Sequence, residues 1–117
     1  MPDDLLRAFE SGALDPARFD HRAHVETAVA LLARTDFLDA AIRYQRGIEK
    51  IAAKAGAEGK ANVTITVAFL SAIAERMEGA GDVLAAHPEL LDAKLLMRWY
   101  GRERLTSPLA RRVFLLP

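Results

Sequence analysis

Cysteine is absent from this 117-residue chain, which excludes disulfides, thiolate metal sites and cysteine nucleophiles together. A chain without cysteine also fits a reducing compartment. Net charge is lacking too, because sixteen Lys and Arg balance sixteen Asp and Glu. That balance argues against a nucleic-acid partner, since such domains are usually basic overall. No apolar run approaches the roughly 20 residues that a membrane-spanning helix needs; Val67-Ala68-Phe69-Leu70 is typical of the short runs present. Met1-Pro2-Asp3-Asp4 is acidic and leads into an amphipathic stretch rather than an apolar leader. These absences predict a cytoplasmic, soluble protein with no membrane partner.

What the chain does have is aliphatic bulk. Hydrophobic residues make up 51% of it, enough for one core at this length, so residues 1–117 are expected to form a single domain. The charges are unevenly placed. Residues 1–40 carry four Arg against eight Asp and Glu, whereas residues 98–117 carry five Arg against Glu103 alone. A basic end of this kind can mean a nucleic-acid or anion partner, but it more often folds back onto the acidic first half or stays solvated.

The periodicity is helical throughout. Leu5, Leu6 and Phe9 predict a helix over Asp3 to Glu10, stopped by Ser11-Gly12. Asp15-Pro16 reads as a helix start with proline in the first turn. A second helix over 20–34 has the stripe Val25, Ala28, Val29 and Leu32. Asp36 caps a third, over 37–55, with Leu38, Ala41, Ile42, Gln45, Ile48 and Ile51 along one face. Gly56 to Gly59 ends it. Val63-Thr64-Ile65-Thr66-Val67 alternates like a strand, but a lone strand would have no partner. Val63, Val67, Leu70, Ile73 and Met77 predict a helix over 63–78 instead, capped by Asn62. Asp82 can cap a short helix, Pro88 to Tyr100 reads as another, and Ser107-Pro108 starts a last one through Phe114. The expected fold is all-α: a bundle of three longer helices with short helices at both ends. Val25, Leu32, Ile48, Leu70 and Ile73 are its expected core.

Two polar motifs interrupt this pattern. His21 and His24 are two of the three histidines, and their i, i+3 spacing puts them on one helix face. That spacing suits two ligands to a cation, or a base and its partner around a small molecule. It equally suits a core histidine bonded to a neighbouring helix. Some forty residues on, Lys60, Asn62, Thr64 and Thr66 open the fourth helix. Trp99 and Tyr100 could line a pocket or anchor a core. Gly56-Ala57-Glu58-Gly59-Lys60 fails the phosphate-loop spacing, and Ala61 stands where Ser or Thr would hold magnesium. There is no Gly-x-Ser-x-Gly elbow and no Glu-x-x-His pair.

With these motifs the chain resembles a family of small, uncharacterised bacterial all-helical proteins that carry Phe-x-His-x-x-His and Lys-x-His-x-Thr-x-Thr. The first motif corresponds to Phe19, His21 and His24, and the second to Lys60, Asn62, Thr64 and Thr66. A third corresponds to Tyr100, Leu105, Ser107, Ala110, Arg111 and Phe114, followed by Pro117. The resemblance runs from about 19 to 117 and implies a shared polar site without naming a reaction. Two positions depart from it: Asn62 replaces the pattern's His, and Gly101 its Ser. Asn is a poor transition-metal ligand, so no metal is expected.

Two functions fit. In one, a small polar or anionic ligand is bound or transformed between the helices that start near His21 and Asn62. His21, His24, Asn62, Thr64 and Thr66 would be its contacts, with Trp99 and Tyr100 as further candidates. In the other, the protein is a non-enzymatic interaction module or homodimer, and the polar motifs are capping and packing devices. The sequence decides neither whether there is catalysis nor which cofactor is used.

Overall fold

The computed structural model describes residues 2–117. Among these it contains seven α-helices and no strand. They are α1 (Pro2–Ser11), α2 (His21–Arg34), α3 (Phe37–Lys54), α4 (Val63–Met77), α5 (Val83–Ala86), α6 (Arg102–Leu105) and α7 (Pro108–Arg112). The all-α expectation therefore holds, with α2, α3 and α4 as the three longer helices, and Val63 to Val67 is helical. Burial along a 15-residue face overrides the β-branched preference of those five residues.

Side chains define the helix starts. Asp20 Oδ1 accepts from Ala23 N at 2.9 Å, Asp36 Oδ1 from Asp39 N at 2.9 Å, and Asn62 Oδ1 from Ile65 N at 2.9 Å. Asp82 and Ser107 do the same for α5 and α7. Each satisfies one of the backbone donors that a helix leaves free at its N-terminus. Asp15-Pro16 starts only a 3₁₀ turn, Pro16–Arg18.

The segment from Pro88 to Tyr100 is not one helix. It forms two 3₁₀ turns, Pro88–Leu91 and Leu95–Arg98. Asp92 separates them: its backbone is extended, and its Oδ1 accepts from Lys94 N at 2.9 Å. A short acidic side chain competing for nearby N–H groups breaks the helical ladder. The bend lets both Leu90 and Leu95 reach the core. The last helix stops at Arg112 rather than Phe114.

Helix α2 is the centre. It packs against α1, α3, α4 and the 88–91 turn. Ala23, Val25, Thr27, Ala28, Ala30 and Leu31 are all buried, so its buried surface is far broader than one stripe. Val25, Leu70 and Ile73 are fully buried as expected, but Leu32 and Ile48 are only partly so. Both sit at the margins of the true faces. On α3 the inward face is Ala40, Tyr44, Gly47 and Ala52. Leu38 and Ile42 point outward, 73% and 60% exposed.

The cause of that rotation is Phe9. Its ring is fully buried and lies against Gly47, where an added Cβ atom would lie only 2.1 Å from a ring carbon. The missing side chain at 47 lets α1 and α3 approach closely, and that approach sets which side of α3 faces in. Gly47→Ala is therefore expected to destabilise by about 1–3 kcal/mol through overpacking, although alanine is the better helix former by about 1 kcal/mol. Denaturant unfolding measures the sign, and a stabilised variant would contradict the close approach.

Candidate functional site

The first motif belongs to a run of rings that crosses the molecule. Tyr44 of α3 lies 5.3 Å from Phe9 between ring centroids, and Phe9 lies 5.3 Å from Phe19. Phe19 stacks on His24 at 4.0 Å, His24 lies 6.3 Å from His21, and His21 meets Phe69 of α4 at 5.4 Å. The chain has only eight Phe, Tyr and Trp, and four of them stand in this run with both motif histidines.

Each imidazole has a structural partner. His21 Nε2 is 2.9 Å from the Leu90 carbonyl. A carbonyl can only accept, so Nε2 carries the hydrogen and Nδ1 the lone pair in the neutral ring. His24 is half-buried. Desolvation first, and the neighbouring His21 second, push its pKa down to about 4. The Asp20 carboxylate and a hydrogen bond to the Phe19 backbone only partly oppose this. His24 is thus a neutral imidazole at pH 7. Tyr44 is buried and its hydroxyl, kept protonated by desolvation, donates to the His24 carbonyl at 3.2 Å.

The second motif is turned to a different task. Asn62 is buried. While its Oδ1 caps α4, its Nδ2 donates to the Leu105 carbonyl at 2.7 Å. Thr64 is fully buried; its hydroxyl donates to the Val113 carbonyl at 2.6 Å and accepts from Leu115 N at 3.0 Å. Tyr100 OH donates to the Leu115 carbonyl at 2.8 Å, and Arg104 Nε to the Leu116 carbonyl at 2.7 Å. Residues 113–116 are therefore held through their backbone by side chains from α4, α6 and Tyr100. Thr66 faces the other way. Its hydroxyl donates to Gln45 Oε1 at 2.7 Å; Gln45 Nε2 donates to Glu49 at 3.2 Å, and Arg46 pairs with Glu49 at 3.0 Å.

Hence the sequence-predicted residues do not converge on one cavity. Thr66 meets Gln45, not a histidine. It lines an open groove of about 920 Å³ between α3 and α4, with Leu38, Ile42, Val63, Val67, Arg111 and Arg112 also among its lining residues. Neither His21 nor His24 lines that groove. Trp99 is 47% exposed and carries the Arg76 guanidinium 5.9 Å above its ring; Arg76 is itself held by Glu89 at 2.9 Å. Tyr100 is a buried anchor. Arg98, Arg102, Arg111 and Arg112 have no acidic partner among the described residues, so no ion pair of theirs ties the basic end to the acidic first half. Among the described residues, no three His, Asp or Glu side chains gather as a metal ion would require. None of the described helices is long and apolar enough to cross a membrane.

Gln45 and the outward pair Leu38 and Ile42 were missed as site residues. A polar Gln within an apolar stripe was the available signal. Nothing local separates Leu38 and Ile42 from core residues. Compared with known proteins, the chain matches no family model, no curated protein and no solved structure.

Two predictions come from this geometry. A lowered His24 pKa means the unfolded chain binds the proton more readily. The stability linked to His24 is therefore complete above about pH 6.5 and lost as pH falls towards about 4. The loss is on the order of 3 kcal/mol. Thermal unfolding across that window is expected to show the slope, and His24→Phe, which keeps the stacked ring, is expected to flatten it. Independently, Thr64→Val keeps the shape but leaves the Val113 carbonyl and the Leu115 N–H without partners. It is expected to cost about 1–3 kcal/mol and to speed amide exchange at Leu115 by hydrogen-exchange measurement.

Proposed function

We propose that this chain is a cytoplasmic, non-catalytic interaction module that presents the α3–α4 groove to a protein partner. One observation carries the reading. Every side-chain polar atom of Asn62, Thr64 and Thr66 already has an internal partner, while the apolar concave surface beside them lies open. A catalytic or ligand-binding site needs groups left free to meet a substrate. Here the motif groups instead hold the fold together. On this reading the resemblance to the small bacterial helical family is one of framework: shared helix caps and a shared tail clamp.

A single feature favours the other reading, a small polar or anionic ligand near the histidines. Thr27 Oγ1 is fully buried and has no partner among the described residues. It continues the i, i+3 ridge of His21 and His24 on α2. An orphaned hydroxyl at such a position is where an ordered water or a ligand oxygen would sit.

A thermal-shift screen of small carboxylates and phosphates separates the two. The expected outcome is no shift for the parent, with His24→Ala lowering the unfolding temperature whether or not any compound is present. A compound that raises the unfolding temperature of the parent, and loses that effect in His24→Ala or Thr27→Val, would overturn the interaction reading.

A further inference from the structure

We infer that the cleft between α4 and residues 96–117 is a binding site for a methylated ammonium group, carried by a small quaternary amine or by a methylated lysine side chain. The inference goes beyond the interaction-module reading, because it concerns a different face of the molecule.

The cleft gathers aromatic rings. Of the eight Phe, Tyr and Trp, those outside the central run are Phe37, Trp99, Tyr100 and Phe114, and the last three line this one cleft. Helix α4 contributes Ala68, Ser71, Ala72 and Glu75, which fall on one helix face at i, i+3, i+4 and i+7. The first three are small, so a space of about 180 Å³ stays open between the helix and the rings. A cavity of roughly 150 Å³ admits benzene, and a trimethylammonium group is of comparable bulk.

The rings are fixed by the fold itself. Tyr100 is buried, and its hydroxyl donates to the Leu115 carbonyl at 2.8 Å. Phe114 lies between two residues that Thr64 holds through the Val113 carbonyl and the Leu115 N–H. Trp99 and Phe114 nonetheless stay 47% and 42% exposed. Trp99 already receives one cation, the Arg76 guanidinium 5.9 Å from its ring centroid. That charge is matched by Glu89 at 2.9 Å, and Arg76 does not line the cleft.

Charge and hydration select the ligand. Aromatic faces are negative and attract cations, Trp most strongly. Glu75 is the one charged side chain among the lining residues, and its carboxylate has no ion pair or hydrogen bond among the described residues. None of the arginines of residues 98–112 lines the cleft. An unmethylated ammonium brings three N–H donors and a tight hydration shell, and a wall of rings and alanines is poor in partners for them. A methylated ammonium carries the same charge with methyl groups in place of those donors. It leaves water at lower cost and packs against the rings.

Trp99 is the chain's one tryptophan, so its fluorescence reports on the cleft directly. Tetramethylammonium chloride is the probe, against potassium chloride at equal ionic strength. A saturable fluorescence change is expected for the first salt alone. Glu75→Gln is expected to weaken binding about threefold. Phe114→Leu, which keeps apolar bulk and removes the π face, is expected to weaken it about fivefold. Both variants are expected to keep the far-UV circular dichroism of the parent. Choline and a peptide carrying one trimethyl-lysine, titrated alongside, separate the two sources of the group by which of them binds more tightly. The inference is overturned if the parent shows no saturable change, or if either variant binds tetramethylammonium like the parent. It is equally overturned if the uncharged analogue of choline, with a tert-butyl group in place of the trimethylammonium, binds as tightly as choline.

Discussion

An imidazole stacked on an aromatic ring and largely withdrawn from water favours its neutral form, and that constraint organises the centre of this molecule. His24 lies at 4.0 Å from Phe19 and next to His21, in a run of rings reaching from Tyr44 on α3 to Phe69 on α4. Charging it would place a cation in a poorly solvated site beside a second imidazole. In its neutral form it completes a packed column that ties α1, α2, α3 and α4 together. The backbone shares the work: Tyr44 bonds to the carbonyl of His24, and His21 bonds to the carbonyl of Leu90. The histidines therefore couple the bundle to the irregular 88–98 segment, which has no long helix to dock it.

The other end of the chain depends on a complementary device. Residues 102–117 bury only Leu105 and Ala110 among their side chains, too little apolar area to fix a segment of that length against its conformational entropy. Polar groups of α4 make up the difference. Thr64 and Asn62 are buried and would be costly without partners; the carbonyls of Leu105 and Val113 and the amide of Leu115 are those partners. Each side benefits from the other, since an extended segment also has backbone groups to satisfy. The start of α4 thus serves as a helix cap, a core element and a clamp at once.

The clamp engages Thr64 and Asn62, and Gln45 engages Thr66, so these three side chains all have internal partners. The open surface lies next to them. The close approach of Phe9 at Gly47 turns α3 so that Leu38 and Ile42 leave the core. The apolar furrow between α3 and α4 is a consequence of how α1 packs on the opposite side of α3.

The sequence by itself determined the all-α class, the boundaries of the three longer helices to within a residue, and the caps Asp36, Asn62, Asp82 and Ser107. These are local matters: a cap needs only its own next three residues, and periodicity over 14 to 18 residues averages out single exceptions. Tertiary structure decided the rotation of each helix. Leu38 and Ile42 lie on the same apolar stripe as Ile48, yet a glycine facing a phenylalanine 38 positions away turned them outward. It also decided that Pro88 to Tyr100 would bend at Asp92, because Leu90 and Leu95 had to reach one core. The motif histidines and threonines were legible as polar groups needing partners. Which partners they found depended on residues 19 to 115, brought together only when the chain closed, and no spacing along the chain encodes that distance.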